Sequence, residues 1–310
     1  MKKINVLLAS PRGFCAGVKR AIDIVDLALQ NTKGPVYVRH EIVHNKRVVN
    51  DLKRKGAIFV KELEEAPKGS KVIFSAHGVS KKVKHDSKVY KQLTIDATCP
   101  LVSKVHQQIK LYDKRGFKIL LIGHKGHPEV DGIEGQVDQN IIIIENETQA
   151  KELEIKEKVK IAYVTQTTLS LNDTSEIIKI LRNKFPHIVG PDLDDICYAT
   201  QNRQIAVSKL ADLCDLVFVV GGENSSNTKR LAEIVSKKSI PVFRISGKED
   251  IKKDWLLGTK TLGITSGASS PEVLIDEIIE LLNNIYDKVN IKNLEGIKEN
   301  ITFKPLKRFS

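Results

Sequence analysis

Three cysteines recur in one setting: Cys15 in RGFCAGV, Cys99 in DATCPLV and Cys197 in DDICYATQ, each where an apolar run gives way to an amphipathic one. A free cysteine taken alone is usually a small buried hydrophobe. Three at matching positions point to a shared task, and converging thiolates suit a metal centre, either zinc or an iron–sulfur cluster. Zinc sites usually draw a chelating pair from a short element such as C-x-x-C, which this chain lacks. A 4Fe-4S cluster held by only three cysteines leaves one iron open to a substrate oxygen. The fourth cysteine, Cys214, has no counterpart and is assigned to the core.

Polar residues gather at other ends of apolar runs. His44, His77 and His127, with Ser225, Ser226, Asn227 and Ser269, bring hydrogen-bond donors to strand exits and helix starts, the environment that holds phosphate groups. A small phosphorylated substrate is therefore expected. Glu129, in HPEVDG, is the carboxylate best placed to give a proton, and equally an acid in the first turn of a helix, where the dipole favours it. Thr167 and Thr168 either hold a substrate hydroxyl or cap the following helix. Glu223, beside the Ser225–Asn227 cluster, should face solvent, because a carboxylate turned inward would repel phosphate.

The elements that must position these residues repeat three times. After Cys15, Val18, Ala21, Ile22, Val25, Ala28 and Leu29 fall at helical spacing, followed by the strand VYVRHEIV. After Cys99 come Val102, Val105, Ile109 and Tyr112, then FKILLIGH; after Cys197 come Ala206, Leu210 and Leu213, then LVFVVGG. His44, His127 and Ser225 follow these strands, 29, 28 and 28 residues after their cysteines. Each unit continues with a second strand (AIFV, IIIIEN, PVFRIS), a charged helical stretch and a third strand (KVIF, KIAYV, TLGI) ending in SAHGVS, TQTTLS or TSGASSP. A helix and a further strand, LTIDATC and IVGPDLDDIC, then deliver the next cysteine. The third unit lacks that strand, and INVLLASPRGFC at the N-terminus is the candidate to supply it.

A repeat of about 90 residues with strands alternating with helices predicts an α/β protein of three similar small units with parallel sheets. The expected arrangement is a pseudo-threefold trefoil around one central metal site, zinc or iron–sulfur, since ligands sit outside the carboxyl ends of parallel strands. The units are 15–98, 99–196 and 197–283, the last completed by the N-terminal strand 1–14. Residues 284–310 form a C-terminal tail whose ENITFKPLKRF either packs as a terminal strand or frays.

With 310 residues, 41% apolar and 28% charged, the chain reads as globular, and no apolar run approaches a membrane span. MKKINVLLAS meets Pro11 too early for a signal peptide, which places the protein in the cytoplasm with reduced thiols. The net charge of +12 attracts something acidic, but no zinc-finger spacing or aromatic-interleaved basic helix argues for nucleic acid.

Taken together, RGFCAGV, EIVHN, SAHGV, DATCP, GHKGHPE, TQTT, ICYATQNRQ, NSSNTKRL and TSGASSP resemble the IspH/LytB family, 4-hydroxy-3-methylbut-2-enyl diphosphate reductase, from about residue 4 to ENITF near residue 303. The resemblance implies the last step of the non-mevalonate isoprenoid pathway, a two-electron, two-proton removal of an allylic hydroxyl. It implies that Cys15, Cys99 and Cys197 ligate the cluster and that the open iron takes the substrate hydroxyl. His44, His77, His127, Ser225, Ser226, Asn227 and Ser269 would hold the diphosphate, Glu129 would deliver protons, and Thr168, with Thr167 in the same loop, would help place the hydroxyl. The electron donor would be ferredoxin or flavodoxin, acidic proteins that the positive charge could steer, acting on a monomer or homodimer. Two rivals are a zinc-dependent hydrolase of a small phosphorylated substrate, colourless when pure, and a non-catalytic cluster protein that binds nucleic acid with strong salt dependence.

Overall fold

The computed structural model describes residues 2–139, 141–155, 159–191 and 195–306. The chain begins β1 (Lys3–Leu8), α1 (Ala16–Asn31), β2 (Val36–Arg39), α2 (Lys46–Arg54), β3 (Ala57–Val60), β4 (Lys71–Phe74), α3 (Lys81–Val89) and β5 (Leu93–Asp96). It continues α4 (Pro100–Lys114), β6 (Lys118–Ile122), α5 (Pro128–Glu134), β7 (Ile142–Ile144), α6 (Glu147–Glu152), β8 (Ile161–Thr165) and α7 (Leu171–Lys184). The last part is α8 (Tyr198–Ala211), β9 (Leu216–Val220), α9 (Ser226–Ser236), β10 (Val242–Ile245), β11 (Thr261–Ser266), α10 (Val273–Ile285) and β12 (Lys288–Asn293).

Among the described residues all strands pair in parallel, in three sheets ordered β3-β2-β4-β5, β7-β6-β8 and β10-β9-β11-β1-β12. The same order recurs: a repeat's first strand lies between its second and its third. The fourth place, beside the third strand, belongs to the segment that leads to the next cysteine. That segment is β5 in one sheet and β1 in another, so the N-terminal strand joins the third repeat as expected, with Leu8 beside Ile264. In the second sheet the strand expected over IVGPDLDDIC shrinks to one bridge, Val189 to Ala162. Gly190 and Pro191 follow at once, and proline has no N–H for a ladder. Residues 192–194 of that expected strand lie outside the described residues.

Three expectations need correcting. VYVRHEIV forms a strand only to Arg39, because His40 turns the chain at φ 60°. The tail after α10 contains β12, which covers β1 as the sheet edge. Its sequence KVNIKN has only two apolar residues and is mostly exposed, the lysine-bearing character that protects a sheet edge, and this disguised it as tail. Leu213, placed on the apolar face after Cys197, lies beyond the end of α8 and is 55% exposed.

Contacts gather the chain into two compact units, each with its own cores. One comprises Met1–Val18, His44–Asn50 and Tyr198–Thr302; the other comprises Lys19–Val43, Asp51–Cys197 and Phe303–Ser310. In the first, β9 sends Leu216, Phe218 and Val220 into one core with Ile275, Ile278 and Leu282 of α10. Val217 and Val219 enter the core on the opposite face with Val207 and Leu210 of α8, where Cys214 is also buried. In the second unit, Leu120 and Ile122 of β6 face α7, while Ile119 and Leu121 face α4 and α5. These unbroken apolar runs are what a parallel strand covered on both faces requires, at about 1.5–3 kcal/mol for each fully buried aliphatic side chain.

Candidate functional site

The cysteines are held in one way. Each immediately precedes a helix: Cys15 before α1, Cys99 before α4 and Cys197 before α8. Each donates its backbone N–H to a carbonyl two residues beyond a third strand: Cys15 to Ala268 at 3.2 Å, Cys99 to Ala76 at 3.0 Å and Cys197 to Thr167 at 3.1 Å. All three are partly exposed, while Cys214 is buried, its thiol pushed up to about 12 by desolvation. At Cys15 the Val18 N–H points at Sγ from 3.5 Å. Burial nonetheless outweighs that donor and the Arg203 charge, so the Cys15 pKa is raised. Three thiols set alike at helix starts are a donor set whose chemistry suits a metal centre.

The polar residues occupy equally regular places. His44, His127 and Ser225 each stand five residues past a first strand, and His77, Thr168 and Ser269 each stand three residues past a third strand. In the unit built on the five-stranded sheet, the Asn224 amide meets His44 Nδ1 at 3.2 Å. Ser269 Oγ donates to the His44 carbonyl at 3.0 Å, and Ser225 Oγ caps α9 by accepting from Thr228 N–H at 3.3 Å. A Cβ on Gly222 would lie 2.6 Å from that same His44 carbonyl, so only glycine permits the approach. Asn227 is buried with both amide atoms unsatisfied, at a cost of about 1–3 kcal/mol per group unless a ligand pairs them. Ser226 opens α9 and is half-buried. Glu223 faces solvent, its side chain 78% exposed and 3.8 Å from Lys46.

In the other unit Glu129 lies in the first turn of α5 but points inward, only 2% exposed. Its carboxylate accepts from Thr167 N–H at 2.7 Å and Thr167 Oγ1 at 3.0 Å. Burial, aided by the charge of Asp195, raises its pKa to about 7 against those two bonds. The Thr167 carbonyl holds Cys197, so one residue anchors both the acid and the thiol. His127 Nδ1 accepts from Glu129 N–H at 3.1 Å, leaving Nε2 as the donor, and the His127 ring meets His77 edge-on at 5.9 Å between centroids.

Sequence reading passed over the residues that orient these groups. Ser75 and Gln166 each stand one residue past a third strand; Ser75 Oγ touches His77 Nδ1 at 3.3 Å, and Gln166 Nε2 donates to Thr168 Oγ1 at 3.1 Å. Their matching positions were the signal available. The capping alternative for Thr167 and Thr168 is ruled out, because Ser170 caps α7 by accepting from Asp173 N–H at 3.3 Å. His40 and His44 have H-E-x-x-H spacing, which on a helix pairs histidines for zinc, but here they fall in the non-helical link between β2 and α2. Among the described residues no three His, Cys, Asp or Glu side chains could hold a single metal ion. A cluster whose thiolates bind separate irons does not require that closeness.

The family model of the LytB protein matches residues 6–283. The 4-hydroxy-3-methylbut-2-enyl diphosphate reductase of Nitrosomonas europaea is 49% identical over 308 residues, covering 97% of this chain and 95% of that protein. Among solved structures, the E-1-hydroxy-2-methyl-but-2-enyl-4-diphosphate reductase of Plasmodium falciparum superposes with a TM-score of 0.94 at 40% identity, covering 99% of this chain and 96% of that one. A second, described as (E)-4-hydroxy-3-methyl-but-2-enyl diphosphate reductase, the terminal enzyme of the non-mevalonate pathway, gives 0.65 at 32% identity, covering 92% of this chain and 100% of that one.

Proposed function

The chain belongs to the IspH/LytB family, and from that membership we propose that it is a 4-hydroxy-3-methylbut-2-enyl diphosphate reductase, the terminal enzyme of the non-mevalonate pathway. The reaction removes the allylic hydroxyl with two electrons and two protons, giving isopentenyl and dimethylallyl diphosphate. Cys15, Cys99 and Cys197 would hold a 4Fe-4S cluster, and the three repeats 15–98, 99–196 and 197–283 would each begin with one of these ligands. When bound, the cluster supplies low-potential electrons and an open, Lewis-acidic iron for the allylic oxygen.

The side chains do the rest. Hydroxide is a poor leaving group, so a proton must reach the oxygen, and Glu129 with its pKa near 7 carries one at neutral pH. Thr167 fixes that carboxyl with two hydrogen bonds, and Thr168 Oγ1, held by Gln166, places the substrate hydroxyl. His127 presents Nε2–H to the diphosphate, and His44, His77, Ser225, Ser226, Asn227 and Ser269 are the further polar groups assigned to it. The unsatisfied Asn227 amide supports this assignment. Among the described residues no helix is long and apolar enough to cross a membrane. Electrons come from ferredoxin or flavodoxin, since the sequence carries no dinucleotide fingerprint. Such acidic partners suit the +12 charge of a cytoplasmic monomer or homodimer.

The observation that carries this reading is the threefold recurrence of one hydrogen bond, from each cysteine N–H to the carbonyl two residues past a third strand. Its test is anaerobic purification, with iron and sulfide counts and reductase assays using a chemical electron donor. Brown protein with near-equal iron and sulfide is expected, with colour and activity lost in Cys15→Ser, Cys99→Ser and Cys197→Ser but kept in Cys214→Ser. Colourless protein holding zinc, or a cluster that depends on Cys214, would overturn the assignment.

A further inference from the structure

Arg20 lies five residues after Cys15, Lys104 five after Cys99 and Arg203 six after Cys197, so each helix opened by a cysteine carries a cation about one and a half turns in. Each cation reaches the loop just before the next cysteine in cyclic chain order. Arg20 Nη1 donates to the carbonyls of Ala97 at 3.3 Å and Thr98 at 3.1 Å, the two residues ahead of Cys99. Lys104 Nζ lies 3.9 Å from the Asp195 carboxylate, two residues ahead of Cys197. Arg203 donates from Nε at 3.3 Å and Nη2 at 2.8 Å to the carbonyl of Gly13, two residues ahead of Cys15.

Both guanidinium groups are buried, Arg203 being only 1% exposed, and a buried cation costs several kcal/mol unless its donors are paired. The C-terminal segment provides that pairing. Arg203 Nη1 binds Glu299 at 2.9 Å, and Arg20 Nε donates to the Lys304 carbonyl at 3.1 Å. The segment is itself fastened along the loop that leads to Cys15. Leu294 N–H bonds to the Leu8 carbonyl at 2.9 Å, and Arg12 bonds to Asn293 at 3.0 Å. The backbone of Gly296 packs so tightly on Ser10 that a Cβ would lie 1.7 Å from its carbonyl oxygen.

We propose that Arg20, Lys104 and Arg203 are positioning residues that set the three cysteine loops, with the C-terminal strap 293–304 locking the two arginines. The inference rests on the reading above that the three cysteines hold a cluster. Partners that orient a metal ligand directly are worth about 10–100-fold in metal affinity, and these cations act one step further out, on the loops that carry the cysteines, so the lower end of that range is expected. Lys104 makes the longest contact and is 54% exposed, so its share is the smallest.

The test compares anaerobically purified holoprotein of Arg20→Met, Arg203→Met, Lys104→Met and Glu299→Gln with wild type, with exposed Lys19→Met as control and Arg203→Lys as the conservative variant. The readouts are iron and sulfide content, cluster bleaching rate in air, electron paramagnetic resonance spectrum, reduction potential and thermal unfolding. Bleaching about tenfold faster is expected in both Arg→Met variants, and about twofold faster in Lys104→Met and Glu299→Gln. A changed spectrum, a more negative potential because a nearby positive charge is gone, and partial rescue by Arg203→Lys should accompany it. The inference is overturned if bleaching, spectrum and potential match wild type, or if faster bleaching merely tracks a lower unfolding temperature. Should the Arg→Met variants fail to fold, wild-type bleaching in both Lys104→Met and Glu299→Gln overturns it. A colourless wild type would sink the cluster reading first, whereas a brown wild type that only the cysteine variants bleach would sink this inference alone.

Discussion

Burial readies Glu129 for the acid's role proposed for it. Below pH 7 its carboxyl is mostly protonated because burial raises the pKa to about 7, so turnover with a chemical reductant should fall as pH rises through that value. Glu129→Gln should cut kcat by about 10²–10⁴-fold, abolish that pH limb and leave the iron content unchanged. If the variant kept the limb, the titrating group would lie elsewhere. Asn227 makes the opposite bargain, holding two unsatisfied atoms that nothing in the fold uses. Asn227→Ala should therefore leave Tm unchanged or slightly higher while lowering kcat/KM about 10–100-fold, the worth of hydrogen bonds to a charged group. A fall in Tm without a change in KM would assign it a packing role instead. Glu129's candidacy was legible from the first-turn carboxylate in HPEVDG. Its partner Thr167 was not, because the two are 38 residues apart in the chain and meet only through the neighbouring strand exits.

At the scale of elements, the strand–loop–helix junction is the working part. The first-strand junction after β9 shows how tightly it is built, since Gly222 lies against the carbonyl of His44. Gly222→Ala forces that backbone apart and should destabilise the protein by about 1–3 kcal/mol, seen as a lower denaturant midpoint, together with a raised KM. An unchanged midpoint would mean the loop relaxes freely. First and third strands were readable as continuous apolar runs, and the helices as 3.6-residue periodicity. β12 was hidden, because an exposed edge strand has little apolar signal, and the strand expected before Cys197 shrinks to one bridge because apolar residues alone do not reveal a ladder interrupted by Gly190 and Pro191.

At the scale of the whole molecule, the charge of +12 should act over distance on an acidic electron donor. Raising ionic strength should slow turnover with ferredoxin or flavodoxin while leaving turnover with a small neutral reductant nearly unchanged, because exposed charges are screened beyond about 8 Å in physiological salt. Equal salt effects on both would remove steering from the account. The sequence by itself determined the threefold repeat, the parallel α/β class and the cysteines and polar clusters, since periodicity and residue type are local properties written in chain order. Only the tertiary structure decided that each cysteine docks on a third-strand loop, that Thr167 binds both Glu129 and Cys197, and that residues 293–304 strap Arg203 and Arg20. Those pairings join residues far apart in sequence, where hydrogen-bond geometry and burial, rather than pattern, select the partner.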